Sequence, residues 1–287
     1  MILAIVGPTG VGKTKMSVEL AKRYNGIIIN CDAMQIYKGL DIGTAKIKEE
    51  EKEGIPHYLF DFVDVHDNYT VYDYQKDVRD LLKRFADRTI IFVGGTGLYL
   101  RAALYDYRFD KEAEIVIDES LSNDELHQLC LQKDPNCLIH KNNRKRMIRY
   151  LKRTSEPPAN PVLLYPTIFI GLTTDREHLY QIINYRVDQM VADGLIEEAK
   201  SFFDQKIYSK ALMTGIGYKE LYSYFEGKCS LEESIDLIKK NSRHYAKRQY
   251  TFFRHQLPVQ WFNVNYDHFE KTVAEVDQFI IKTNNKF

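Results

Sequence analysis

This 287-residue chain is poor in cysteine, with only Cys31, Cys130, Cys137 and Cys229, and no two of them stand in C-x-x-C spacing. Thiols scattered in this way supply neither a disulfide framework nor a zinc site, and they fit a reducing, cytoplasmic compartment. No apolar run approaches the roughly 20 residues that a bilayer crossing needs, so a membrane span is excluded. No basic leader or cleavage site precedes Ile2-Leu3-Ala4-Ile5-Val6, which are therefore read as part of the fold and not as a signal peptide. Fixed-period repeats and low-complexity tails are absent as well. Net charge is also missing: 40 Lys and Arg balance 40 Asp and Glu, which argues against a generic polyanion binder.

The charges are unevenly distributed, however. From Lys141 to Arg153, seven residues (Lys141, Arg144, Lys145, Arg146, Arg149, Lys152, Arg153) are basic and none is acidic. From Lys239 to Arg254 a second acid-free block carries Lys239, Lys240, Arg243, Lys247, Arg248 and Arg254. Acids collect elsewhere, for example in Lys48 to Glu53, so one face is expected to be positive and able to meet polyanionic phosphate. Arg243 and Lys247 are four residues apart and share a helix face suited to gripping a phosphate. Tyr245, Tyr250, Phe252 and Phe253, interleaved with these cations, are each read as core sooner than as stacking partners.

The strongest local signal is Gly7-Pro8-Thr9-Gly10-Val11-Gly12-Lys13-Thr14, which fits G-x-x-x-x-G-K-[ST]. Its flanks fit too, with an apolar strand before it and a helical pattern from Thr14 to Tyr24 after it. Glycines let successive backbone N–H groups turn inward around an anion, and the helix N-terminus adds partial positive charge. Lys13 supplies a cation and Thr14 a hydroxyl for magnesium. Further apolar strands are expected at Gly26 to Asn30, Thr89 to Val93, Thr167 to Leu172 and Val259 to Val264. Continuous rather than alternating apolarity, with helical segments between, indicates a parallel sheet covered on both faces. Helices are expected over Asp118 to Gln132, entered at Ser122 or Asn123, over Arg144 to Lys152, over Asp175 to Phe203 with a break near Gly194, and over Leu231 to Phe253. Pro157, Pro158, Pro161 and Pro166 make Thr154 to Pro166 a stiff connector.

Asp32 follows the second strand, at the sheet edge that borders the ligand crevice in open α/β folds. Position alone leaves three roles open to it: magnesium ligand, general base, or turn cap. The strand ending at Val93 runs into Gly94-Gly95-Thr96 and not into the Asp common in magnesium-dependent NTPases, which weakens a plain ATPase reading. Two glycines there permit close backbone approach, and Thr96 offers a neutral hydroxyl. A nucleotide or small-molecule kinase remains an alternative, although it leaves the basic blocks and Gly94-Gly95-Thr96 unexplained.

Taken together, the motifs resemble one family, the tRNA dimethylallyltransferases or tRNA isopentenyltransferases. The resemblance rests on Gly7 to Thr14, Asp32-Ala33-Met34-Gln35-Ile36-Tyr37 with Asp41-Ile42-Gly43-Thr44-Ala45-Lys46, Gly94 to Tyr99, Asn143 to Leu151, Gly217-Tyr218-Lys219-Glu220, and Tyr245 to Gln249 with Arg254. It implies transfer of a dimethylallyl group from dimethylallyl diphosphate to N6 of the adenosine 3′-adjacent to the anticodon, with magnesium as cofactor and a tRNA anticodon stem-loop as partner. The resemblance further implies diphosphate binding by Gly7, Pro8, Thr9, Gly10, Val11, Gly12, Lys13 and Thr14, with Thr14 also at the metal. Catalytic roles fall to Asp32, Thr96 and Lys13, and tRNA contacts to Asp32, Ala33, Met34, Gln35, Lys145, Arg146, Arg149, Arg243 and Lys247. The expected architecture is an α/β fold: a P-loop parallel sheet flanked by helices, with a smaller inserted helical subdomain. Residues 1–110 and 141–287 would form the core and 111–140 a reduced insertion, in a cytoplasmic monomer.

Overall fold

The computed structural model describes residues 1–109, 117–118, 120–153 and 161–284. They divide into two compact units, one made of Met1–Tyr105 with Leu163–Phe287 and the other of Asp106–Val162. The first unit holds the strands β1 (Ile2–Val6), β2 (Gly26–Asn30), β3 (His57–Tyr58), β4 (Thr89–Val93), β5 (Thr167–Thr173) and β6 (Gln260–Asn263). Their order is β3-β2-β4-β1-β5-β6, and every neighbouring pair is parallel.

Burial explains the uninterrupted apolar runs. Side chains alternate across a strand, so Leu3, Ile5, Ile28, Ile91 and Ile170 enter the core on one face while Ala4, Val6, Ile27, Ile29 and Phe92 enter that on the other. Helices cover both cores. Met16 and Leu20 of α1 (Lys13–Arg23) pack on the first face. Tyr74 and Val78 of α2 (Val71–Arg84), with Leu100 and Ala103 of α3 (Gly97–Leu104), pack on the second. A third cluster, including Ile36, Leu40, Val187, Leu195, Tyr218 and Ile238, joins the turn after β2 to the later helices.

The later helices of this unit are α6 (Arg176–Ala192), α7 (Leu195–Asp204), α8 (Lys210–Thr214), α9 (Tyr218–Phe225), α10 (Leu231–Gln256) and α11 (Phe269–Asn284). Gly194 separates α6 from α7 at φ 105°, a left-handed conformation that glycine adopts without steric cost, so the expected break falls there. Strand β3 was not expected. It is two residues long, polar, and paired only with Ile28 and Ile29, too little for a period to show.

The second unit is built on α4 (Asn123–Lys133) and α5 (Arg144–Leu151). Ser122 and Glu125 form the capping box that starts α4. The expected insertion, 111–140, is extended by the structure to 106–162, because α4 cannot bury its apolar stripe alone. Leu126 and Cys130 close a small core with Ile139 and with Met147 of α5, and the Lys133 ammonium donates to the carbonyls of Tyr150, Leu151 and Arg153 at the end of α5. The basic helix α5 therefore belongs to the insertion and not to the core. Pro157 and Pro158 of the expected connector, and the start of the expected insertion, lie outside the described residues.

Candidate active site

The carboxyl ends of β1, β2 and β4 open onto a cleft of about 1150 Å³. Thr9, Gly10, Gly12, Lys13 and Thr14 line it, with Val11 buried in the core behind the loop as an apolar plug. Gly12 has φ 79°, and a Cβ there would sit 2.8 Å from the Phe269 ring, so both conformation and space require glycine. Gly7 and Pro8 are buried and do not line the cleft. Thr14, expected at a metal, is exposed on it.

Lys13 donates to the Pro8 carbonyl at 2.6 Å. Burial, then the positive charge of Arg186, push its ammonium down to about 7, against the pull of Asp32. Arg186, on α6, is itself lowered by burial and opposed by Asp32 and Glu51. Lys13 and Arg186 are therefore two desolvated cations in one cleft, opposed by Asp32 and, at Arg186, by Glu51, and a bound anion relieves their desolvation. Arg186 went unseen in the sequence, where it stands between the core residues Ile183 and Val187. A cation inside an apolar helix stripe is the signal that would have revealed it.

Asp32 lines the same cleft. Its N–H donates to Asn30 Oδ1 at 2.8 Å and its Oδ1 accepts from the Met34 N–H at 2.9 Å. Asn30, fully buried, donates to the carbonyls of Asp32 and Leu59 and holds the turn in place. The Gly94-Gly95-Thr96 turn packs on this backbone. A Cβ at Gly94 would strike the Cys31 carbonyl, and one at Gly95 would strike the Gln249 amide. Gly94→Ala should therefore destabilise the fold by about 1–3 kcal/mol, the usual cost of overpacking, read as a lowered urea midpoint at unchanged m-value.

Thr96 does not line the cleft. Its Oγ1 accepts the Ala33 N–H at 3.0 Å, and its N–H donates to Cys31 O at 2.9 Å, so its side chain braces the turn that carries Asp32. Gln249, also overlooked in the sequence, is 4% exposed and joins three segments. Its Oε1 accepts from the Thr9 N–H at 3.2 Å and its Nε2 donates to Gly95 O at 3.1 Å, tying the phosphate loop and the Gly95 turn to α10. The Thr9 amide is thereby engaged within the protein, and the cradle is left to the later amides of the loop. A glutamine on the buried stripe with Ala246 and Phe253 was the available clue.

The expected RNA contacts divide. Asp32, Met34 and Gln35 line the cleft, whereas the Ala33 amide is engaged by Thr96. From α10, Ile238, Ser242, Tyr245, Arg248 and Gln249 line the cleft, so Tyr245 faces it while Phe253 is core. Arg243 and Lys247 do not line it; Arg243 donates to Asn184 and lies over the Tyr180 ring. Lys145, Arg146 and Arg149 are exposed on α5, in the other unit.

Comparison with known proteins agrees with this arrangement. A family model described as IPP transferase matches residues 35–256. The chain is 48% identical over 297 residues to a tRNA dimethylallyltransferase of Anoxybacillus flavithermus, covering 97% of this chain and 96% of that protein. It is 44% identical over 284 residues to one of Bacillus subtilis, covering 92% and 90%. Among solved structures, a tRNA isopentenylpyrophosphate transferase from Bacillus halodurans aligns with TM-score 0.77 at 42% identity, over 99% of this chain and 97% of that one. A eukaryotic dimethylallyltransferase acting on tRNA aligns with TM-score 0.83 at 26% identity, over 99% and 79%. With a matching family model, near full-length relatives and the same parallel sheet behind a phosphate loop, the chain belongs to the tRNA dimethylallyltransferase family.

Proposed function

We propose that the chain transfers the dimethylallyl group of dimethylallyl diphosphate to N6 of the adenosine 3′-adjacent to the anticodon of a tRNA, releasing diphosphate. The observation that carries this reading is a single cleft shared by an anion cradle and the Asp32 carboxylate. The exocyclic amine of adenine is a poor nucleophile because its lone pair is delocalised into the ring. As N6 bonds to the allylic carbon, the carbon–oxygen bond to diphosphate breaks and its electron pair leaves with the diphosphate. Asp32 accepts the N6 proton. Lys13, Arg186 and the amides of Gly12 and its neighbours meet the charge that develops on the leaving group. Thr96 and Gln249 hold the two halves of the site in register. The acceptor base must leave its stack to enter the cleft, and an anticodon loop makes that inexpensive.

A magnesium ion carried in with the diphosphate would suit this cleft, on which Thr14 is exposed. Among the described residues no group of three or more His, Cys, Asp or Glu is arranged to hold a metal, and the Thr14 hydroxyl is the loop group that would hold this ion. When bound it supplies further neutralisation of the diphosphate. The exposed cations Lys145, Arg146 and Arg149 of the second unit suit the phosphates of the stem-loop. No helix among the described residues is long and apolar enough to cross a membrane; with free cysteines and an RNA substrate, this supports a cytoplasmic protein, read as a monomer. The kinase alternative has no support among the relatives.

Incubation with allyl-labelled dimethylallyl diphosphate and unmodified tRNA should place label in one adenosine of the anticodon loop. Label recovered only in solvent or in free allylic alcohol would reject the assignment.

A further inference from the structure

Glu198 of α7 plays no part in the chemistry above, yet four donors converge on its carboxylate. Oε2 accepts from the backbone N–H of Asp41 at 3.0 Å and of Ile42 at 2.8 Å. Oε1 accepts from the Gly43 N–H at 3.0 Å and from the Tyr218 hydroxyl at 2.6 Å. Three successive amides turned toward one point form an anion nest, and here the anion is the protein's own side chain. Tyr218 is fully buried, and burial together with the Glu198 charge pushes its phenol far up, so it stays a donor. A Cβ at Gly43 would lie 2.7 Å from the Tyr218 ring, which admits only glycine there.

The segment gripped in this way, Asp41 to Lys46, lines the cleft that contains Asp32. Its other end is held from the Asp32 side, because Gln35 Nε2 donates to the carbonyls of Thr44 at 2.9 Å and Ala45 at 3.3 Å. The Lys46 ammonium, almost buried, donates to Tyr37 O at 2.8 Å and pairs with Asp41 and Asp61. The wall is thus held by Glu198 at one end and by Gln35, three residues from Asp32, at the other.

We propose that Glu198, oriented by Tyr218, is a positioning residue that fixes the Asp41–Lys46 wall and with it Gln35, so that it governs productive placement of the acceptor nucleoside rather than binding of the diphosphate. This rests on the transfer reaction proposed above. A neutral side chain cannot substitute, since the amide of glutamine offers one oxygen and turns an NH₂ toward donors. Aspartate is one methylene too short to reach both the amides and the phenol.

The test compares wild type, Glu198→Gln and Tyr218→Phe in steady-state transfer, varying tRNA and dimethylallyl diphosphate separately. For Glu198→Gln, kcat/KM for tRNA should fall by about tenfold to a hundredfold, the scale on which misplacing a reactant acts. The KM for dimethylallyl diphosphate should stay within about threefold. Tyr218→Phe, which leaves all three amides paired, should fall between wild type and Glu198→Gln. Hydrogen exchange at the Asp41, Ile42 and Gly43 amides should speed up in Glu198→Gln while strand β1 keeps its protection. Unchanged kcat/KM for tRNA in Glu198→Gln overturns the proposal, and so does an equal loss for both substrates with general loss of protection, which marks a merely structural side chain. If the wild-type chain transfers no label, the functional reading fails by itself, and unchanged exchange at residues 41–43 in Glu198→Gln would then also overturn the clamp.

Discussion

Asp32→Ala should lower the rate of dimethylallyl transfer by about 10²- to 10⁴-fold, the span over which a positioned general base acts. The affinity for tRNA should stay within about tenfold, because protein–RNA affinity draws mainly on cations that meet phosphates, a contact a carboxylate does not make. The structure makes the experiment discriminating. Asp32 Oδ1 is engaged by the Met34 N–H, so alanine removes both the proton acceptor and a turn contact. The Asp32→Asn variant would keep that contact, since an amide oxygen accepts equally well, but its side chain cannot take a proton from N6. Asp32→Asn should therefore be as slow as Asp32→Ala while retaining wild-type thermal stability. Single-turnover transfer of labelled allyl group gives the rate, and filter binding gives the affinity. A rate within about threefold of wild type for Asp32→Asn would remove Asp32 as the base and leave it as a cap.

Arg186→Ala should cost on the order of 10²- to 10³-fold in kcat, as loss of one preorganised donor to developing charge does elsewhere, and should also raise the KM for dimethylallyl diphosphate. The physical ground is the crowding of charge in the cleft. Arg186 and Lys13 are both held below their ordinary ranges by burial, Lys13 at about 7, and each is countered by Asp32. An arriving diphosphate stabilises the charged form of Lys13 and offsets the desolvation of Arg186, and the gain is largest when carbon–oxygen cleavage concentrates charge on the leaving group. Arg186→Lys should recover part of the loss, since a lysine keeps the charge but not the planar fork. Transfer rates at saturating tRNA with varied diphosphate check this. Kinetics unchanged in both parameters for Arg186→Ala would show that Lys13 and the loop amides neutralise the leaving group without it.

Much of the fold was legible because its signals are local. The strands at Ile2–Val6, Gly26–Asn30 and Thr89–Val93 announce themselves as apolar runs between breakers, and they occupy the centre of the sheet, where both faces are covered. The two-residue β3 carries no period and was invisible. The insertion boundary shifted because α5 reads as an amphipathic helix wherever it packs, and only its tertiary contacts, Met147 in one cluster with Leu126 and Cys130 and the Lys133 ammonium on its last carbonyls, assign it to α4. In the site, the phosphate loop and Asp32 are marked by type and spacing. Arg186 and Gln249 are marked only as polar residues on buried helix stripes, and Glu198 stands beside Glu197 in the first turn of α7; none of these signals states which distant segment the side chain meets.

The amino-acid sequence alone determined the parallel α/β class, the anion-binding loop and the family, because each depends on residues adjacent in the chain or on motifs in a set order. The tertiary structure alone decided which charges meet. Gln249 reaches Thr9 across 240 residues and Glu198 reaches Asp41 across 157, and hydrogen bonds act over about 3 Å whatever the separation along the chain. Such pairings follow from how helices are packed on the sheet, which no local pattern encodes.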